Sequence, residues 1–210
     1  MAATDRKPKT LAHYPRPSVA VDTAVLTVAD GQLCVGVLRD PRSARLRLPG
    51  TFLHEGETLA DAVRRSLREK AGIEGVEPAQ LHVFDAPGRD SRGWVLSVAH
   101  VAVVPATGLR ELQPRAVTEA MGLDFDHDEI VRLAVSLLRA DYAEHPDPAR
   151  LLPEPFTVTA LREVHDAVAG ERLLPDSFRR RMLPMLRRTG ELQRGGVGKP
   201  AALYRRTTTS

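Results

Sequence analysis

The residues best placed to do chemistry lie in GTFLHEGETLADAVRRSLREKAGI, Gly50 to Ile73. Leu59, Ala62, Val63 and Leu67 recur at the helical period, and Gly72 stands where a glycine closes a helix. At 100° per residue, positions 59, 62, 63, 66 and 70 share one arc, which turns Ser66 and Lys70 to the pocket side rather than to solvent. Arg65 and Glu69 fall at the edge of that arc, one turn apart, and are expected to pair. Carboxylates on such an arc would hold Mg²⁺, which takes carboxylate and water oxygens in near-octahedral geometry and helps to split a diphosphate. A serine is a weak neutral ligand, and an ammonium repels the ion. Lysine does, however, neutralise a phosphate charge directly. The arc suits holding a diphosphate and is poor for cutting one. No catalytic residue, no metal ligand and no required cofactor is therefore assigned. A metal site would have to be assembled otherwise, from Glu55, Glu57, Glu69 and Glu111.

Two more groups of cations stand out. In FDAPGRDSRGWVLSVAH, Arg89 and Arg92 sit on a loop ahead of a long apolar run, and Arg39 ends an earlier strand. Guanidinium forks match phosphate oxygens, so Arg39 joins Lys70 and Glu69 as a candidate ligand contact, while Arg89 and Arg92 read either as a solvated turn or as contacts of the same kind. In the last third, Arg179, Arg180 and Arg181 follow one another on a helix whose Phe178 and Met182 should pack inward. Three successive positions span most of a turn, so they cannot all face one groove. One or two are expected to reach guanine edges, while Arg187, Arg188 and Arg194 suit the phosphate backbone and Lys199 the tip of a wing.

Those side chains need elements to hold them. VAVDTAVLTVADGQLCVGVLRD reads as two strands joined at Asp30-Gly31, followed by a short strand at Leu46–Leu48 and then the helix. AQLHVFD and WVLSVAHVAVVP add two strands, the second long and central. In LDFDHDEIVRLAVSLLRADYA, Asp126 or His127 is the expected cap of a helix over 126–142 that bridges the two halves of the chain. EHPDPARLLPEP, with four prolines in twelve residues, marks a boundary. Beyond it, VTALREVHDAVAG predicts a helix capped by Thr159 and ended by Gly170. PDSFRRRMLPMLRRTG predicts a second, capped by Asp176, interrupted at Pro184 and ended near Gly190, before a strand, a glycine-rich turn and a strand. Helices followed by a hairpin is the order of a winged helix-turn-helix.

Composition sets the frame. Of 210 residues, 42% are hydrophobic and 27% charged, as in ordinary globular proteins, and no apolar run is long enough to span a membrane. The basic, polar start is read as a flexible leader over residues 1–14 rather than a secretory signal. The single Cys34 forms no internal disulfide and fits an apolar strand. A cytoplasmic setting is expected. The net charge of +3 is uneven: residues 151–210 carry 11 Lys/Arg against 6 Asp/Glu, which suits a polyanionic partner.

Gly50–Ile73 resembles the box of the Nudix hydrolases, G-x5-E-x7-R-E-U-x-E-E-x-G-U. Glu57, Arg65, Leu67, Glu69, Gly72 and Ile73 fit, Thr51 replaces a glycine, and Ser66 and Lys70 replace two glutamates. The GRDSRG segment and LDFDHDEI resemble the ADP-ribose branch of that family and its regulators, which implies that Arg89 and Arg92 either hold their loop over the pocket or meet the diphosphate. Phe178-Arg179-Arg180 and GKPAALYR, Gly198–Arg205, resemble the DNA-binding domain of the NrtR family, Nudix-related regulators of NAD metabolism. The resemblance implies an α+β protein: a Nudix-type α/β/α sandwich with a mixed sheet over 15–148, then a small winged helix-turn-helix domain over 149–210. It also implies a repressor that binds a palindromic double-stranded DNA operator as a homodimer and leaves it when ADP-ribose binds. The rival expectation is a Nudix hydrolase of ADP-ribose or another nucleoside diphosphate derivative with an atypical metal site.

Overall fold

The computed structural model describes residues 10–41, 43–119, 122–193 and 200–207. Strand β1 (Ser18–Ala29) turns at Asp30-Gly31 into β2 (Gln32–Arg39). Both turn residues have positive φ, 49° and 72°, and Ala29 faces Gln32, so the hairpin is the tight two-residue kind. Short strands β3 (Leu46–Arg47) and β4 (Gly50–Phe52) lead to helix α1 (Leu59–Ala71). Thr58 and Asp61 form a reciprocal capping box at its start, and Gly72, at φ 63°, ends it. Strands β5 (Ala79–Phe84), β6 (Val95–Val103) and β7 (Gln113–Ala116) and helix α2 (His127–Glu144) complete the first unit.

β1 organises the sheet. It runs parallel to β6 from Ser18↔Val95 to Leu26↔Val103, and all its other pairings are antiparallel. The order is β3-β2-β1-β6-β5, with β4 against the first half of β1 and β7 against β2. Side chains of β1 alternate between two cores. Val21 and Val25 meet Ala62, Val63 and Leu67 of α1, whereas Ala24 and Leu26 meet Ile130, Val131 and Ala134 of α2. A helix thus covers each face of a mixed sheet, as expected from the sequence. Cys34 is buried within β2.

The second unit holds β8 (Phe156–Thr157), α3 (Val158–Ala169), α4 (Pro175–Met182), β9 (Leu186–Gln193) and β10 (Ala201–Arg206), its strands ordered β8-β10-β9. Phe156, Leu161, Phe178 and Met182 are its core. Three expectations need correction here. Thr157, not Thr159, caps α3, accepting from Ala160 N. Pro175 rather than a side-chain cap opens α4, with Leu174 before it, so Asp176 lies within the first turn. The helix stops at Met182; Leu183–Met185 form a 3₁₀ turn around Pro184, and the strand begins at Leu186. Arg187 and Arg188 therefore stand on a wing strand, where each faces β10, at Arg205 and Tyr204 respectively. Gly170, at φ 81°, ends α3 as expected.

The two units are not joined by α2 alone. α3 contributes Leu161 to the second core and Val168 to the first. Within the expected leader, Leu11–His13 form a 3₁₀ turn, and residues 1–9 lie outside the described residues. Among the described residues no helix is long and apolar enough to cross a membrane.

Candidate functional site

The chemistry gathers in a cleft of about 160 Å³ where β1, β4, α1, the loop before β6 and the head of α2 meet. Asp22 lies at its base. A carboxylate in the middle of an apolar strand requires partners, and it has them. Ser97 Oγ donates to it at 2.5 Å, His127 Nε2 stands at 3.4 Å and Arg89 at 3.7 Å. Burial alone would raise its pKa, but His127, Ser97 and Arg89 together hold it below the ordinary value. Gly50 makes this approach possible: a Cβ there would stand 1.9 Å from Asp22 Oδ1 and 2.8 Å from the Val21 carbonyl. His127 is further fixed by Leu48 N–H, which donates to Nδ1 at 3.0 Å and leaves the ring proton for Nε2.

Lys70 reaches into the same cleft from α1. Its ammonium donates to the Gly50 carbonyl. Burial pushes its pKa down, and nearby Arg47 and Arg65 push the same way, partly opposed by Asp22 and Glu69. Arg47, Arg89 and Arg92 also line the cleft, so its wall carries four cations against Asp22 and Asp90. Ser66 is buried as well, at 1% exposure, but its Oγ finds no hydrogen-bond partner and does not line the cleft.

The retained members of the box do other work. Arg65 pairs with Glu57 rather than Glu69, through Nε at 2.8 Å and Nη2 at 2.9 Å, and also reaches Thr51 Oγ1 and the Phe52 carbonyl. The bonds from Arg65 first, and then the one from the His54 backbone N–H, draw the Glu57 pKa down to about 2. Together they fasten β4 to α1. Glu69 is exposed, 3.8 Å from Arg68, and is not part of the cleft wall. Among the described residues no group of three or more His, Cys, Asp or Glu is placed to hold a metal ion. The residues present do not fit Mg²⁺: the Gly50 carbonyl is taken by an ammonium, Glu57 by Arg65, and Ser66 offers no charge.

Of the loop arginines, Arg89 is buried and paired with Asp126. That pairing explains why Asp126, although at the N-cap of α2, makes no side-chain cap bond. Asp128 instead accepts from Gly122 N and Leu123 N. Arg92 is more exposed, forked onto Asp90 and flanked by Phe52 and Phe125. Arg39 donates to the Ala44 carbonyl and lies outside the cleft wall. Asp22, Arg47, Phe52 and Phe125 were missed from the sequence, and His127 was expected only as a helix cap. For Asp22 a signal existed, a lone acid in VAVDTAVLTVA.

In the second unit Arg179 and Arg180 are exposed on α4, Arg180 opposite Phe178 and Met182 and Arg179 on the flank between. Arg187 and Arg188 are exposed on β9. Arg181 is turned the other way: it donates to the Ala143 carbonyl at the end of α2 and borders a groove of about 630 Å³ between α2, α3 and α4. Arg194 and Lys199 lie outside the described residues. A buried hub, also missed, joins the units. Asp147 accepts from Tyr142 Oη, Leu151 N, Leu152 N and Arg206, and Arg206 also bonds Glu154. Asp147 N in turn donates to Nε2 of His165, which packs against Phe178 of α4.

Comparisons with known proteins agree with this architecture. The Nudix domain family matches residues 17–154, and the NrtR DNA-binding winged helix domain matches residues 148–206. The chain is 29% identical over 208 residues to the ADPR responsive transcriptional repressor NtrR of Acinetobacter baylyi, covering 91% of this chain and 83% of that protein. Shewanella oneidensis NrtR complexed with a 27mer DNA superposes with a TM-score of 0.74 at 29% identity, over 90% of this chain and 93% of that one. The Nudix domain of S. oneidensis NrtR complexed with ADP ribose superposes with a TM-score of 0.54 at 25% identity, over 62% of this chain and 94% of that one. Matched by these two domains in this order, the chain belongs to the Nudix family and, within it, to the NrtR group, in which a Nudix domain is fused to a DNA-binding winged helix.

Proposed function

We propose that this protein is a ligand-responsive repressor of genes of NAD metabolism. It binds a palindromic operator as a cytoplasmic homodimer and leaves it when ADP-ribose enters the first domain. The names and ligands of its relatives support this reading, and one observation carries it: the Lys70 ammonium sits on the Gly50 carbonyl, where an enzyme of this fold would need a cation held by carboxylates. A diphosphate meets Lys70, Arg47 and Arg92 directly, with its charge compensated by the protein and no metal to activate water. We place the division between ligand domain and DNA domain near residue 148. Arg179 and Arg180 enter the major groove, and Arg187, Arg188, Arg194 and Lys199 meet phosphates.

Helix α2 couples the two sites. Its first residues touch the cleft through Arg89–Asp126 and His127–Leu48, and its last turn touches the DNA domain through Tyr142–Asp147 and Ala143–Arg181. Eighteen residues make a rod of about 27 Å. Effector binding that favours one position of this rod disfavours the spacing that two winged domains need for two half-sites. The test is a gel-shift titration with a labelled duplex selected by the protein from a random pool. ADP-ribose at micromolar to millimolar concentration should release it, and a complex insensitive to ADP-ribose refutes the sensor.

A further inference from the structure

The groove of about 630 Å³ between α2, α3 and α4 lies apart from the cleft and from Arg179 and Arg180. Three aromatic side chains make its floor. Tyr142 of α2, His165 of α3 and Phe178 of α4 are all buried, and the His165 ring meets the other two at centroid distances of 4.9 and 5.0 Å. Leu173 and Leu174 also line it, and Leu174 is 73% exposed. A concavity of this size, lined by apolar and aromatic groups with a few converging polar ones, is the usual form of a small-molecule site.

The rim is cationic. Arg139, Arg172 and Arg181 line it, against one carboxylate, Glu171. Elsewhere in the second unit guanidinium groups find acids, as Arg162 finds Asp166 and Arg206 finds Glu154. Among the described residues, the three at the groove find none. Arg139 gives one N–H to the Val168 carbonyl at 2.9 Å, and Arg181 gives one to the Ala143 carbonyl at 3.0 Å. Cations suit helix C-termini, which accounts for these two. Arg172 has no such reason: among the described residues it makes no hydrogen bond or ion pair. A guanidinium carries five N–H donors, so most of those at this rim are unused.

Charge selects the occupant. The basic start of this chain, with Arg6, Lys7 and Lys9 against Asp5, is repelled by such a rim. An anion with a flat apolar body satisfies both the rim and the floor. We propose that the groove is a second small-molecule site, distinct from the cleft, for an aromatic carboxylate of one or two rings. The rings lie over Tyr142, His165 and Phe178, and the carboxylate takes the fork of Arg172, with Arg181 beside it. The walls come from α2, which leads from the cleft, and from α4, which carries Arg179 and Arg180, so an occupant contacts both units at once. The site does not rest on the reading of the cleft as an ADP-ribose sensor.

The test is calorimetry on the full chain with 2-naphthoate as probe and 2-naphthamide as its uncharged isostere. About one 2-naphthoate per chain should bind saturably, and the amide at least about tenfold more weakly, since it lacks the charge-assisted pair. Arg172→Gln alters an exposed side chain and should leave the melting temperature within about 1–2 °C. It should weaken 2-naphthoate about ten- to 150-fold and leave 2-naphthamide and ADP-ribose within about twofold. Ser177→Phe, which fills the groove from an exposed position on α4, should abolish binding of both naphthalene probes. No saturable binding of 2-naphthoate at millimolar concentration overturns the site, as do equal affinities for acid and amide or an affinity unchanged in either variant. Sedimentation tests the other occupant: if Ser177→Phe turns a dimer into a monomer, a second copy covers the groove and the small-molecule site is refuted. Failure of the unaltered protein to bind ADP-ribose refutes the sensor and leaves the result for the groove standing.

Discussion

Arg89 and Asp126, 37 positions apart in the chain, meet in a two-pronged ion pair, with Nε donating to Oδ2 at 2.8 Å. Arg89 is on the loop before β6, and Asp126 is at the head of α2, so this pair anchors the connecting helix to the ligand domain. The Arg89 side chain is only 4% exposed. Removing its main partner leaves a charge buried with Asp22 alone, 3.7 Å away. Asp126→Ala should therefore cost about 3 kcal/mol in urea denaturation. A cost below about 1 kcal/mol would mean that the pair does not hold α2.

A second expectation concerns the substituted box position that lines the cleft. Lys70→Glu removes the ammonium and places a carboxylate beside the Gly50 carbonyl. ADP-ribose binding in EDTA should weaken at least about tenfold, since a charge-assisted contact is worth roughly 1.5–3 kcal/mol. Added Mg²⁺ should recover much of it. Calorimetry with and without Mg²⁺ reads both effects, and binding indifferent to the exchange would remove Lys70 from the phosphate site.

The DNA surface can be divided by residue. Arg179→Ala and Arg180→Ala together should abolish specific operator binding while leaving the melting temperature within about 1–2 °C, because both side chains are exposed. Arg187→Ala should weaken binding to all duplexes alike and lower the salt slope by about 1. Arg181→Ala, which loses the Ala143 contact, should keep sequence preference but change how strongly ADP-ribose releases the duplex. Gel shifts at several salt concentrations distinguish these three behaviours.

Stability should depend on pH through His165. Burial pushes its pKa from 6.5 down to about 4, against the pull of Asp147. The unfolded chain therefore takes up the proton first as pH falls. Stability is complete above about pH 6.5 and is lost towards pH 4, by about 3 kcal/mol in all. His165→Gln keeps an acceptor for Asp147 N and should flatten this part of the profile, as urea denaturation between pH 7 and 4.5 will show. An equal slope in the variant would assign the loss to other groups.

Local rules made much of this protein legible. Asp30-Gly31 announces its hairpin, Gly72 the end of α1, and the 100° arc places Lys70 on the cleft side, where the structure has it. The arc misjudged Ser66 in part, since an inward direction does not tell core from cleft. What failed depended on distant partners. Arg65 was paired with Glu69 by helical spacing, but Glu57, brought close by the turn ahead of α1, offers two oxygens and wins. The stretch from Leu186 to Gly190 reads as the end of a helix because its pattern lacks strict alternation; pairing with β10 makes it the start of a strand, and Pro184 was the signal that the helix had ended. Asp147 and Arg206, 59 positions apart, carry no local pattern that would pair them.

The most direct test of the central claim follows ADP-ribose itself. Purified protein is titrated with it by calorimetry in EDTA, and the same preparation is then incubated with ADP-ribose and Mg²⁺ while AMP is measured. The account predicts saturable binding without metal and no AMP beyond the rate of a protein-free control. Binding that requires Mg²⁺, with AMP released at an ordinary enzymatic rate, would contradict it.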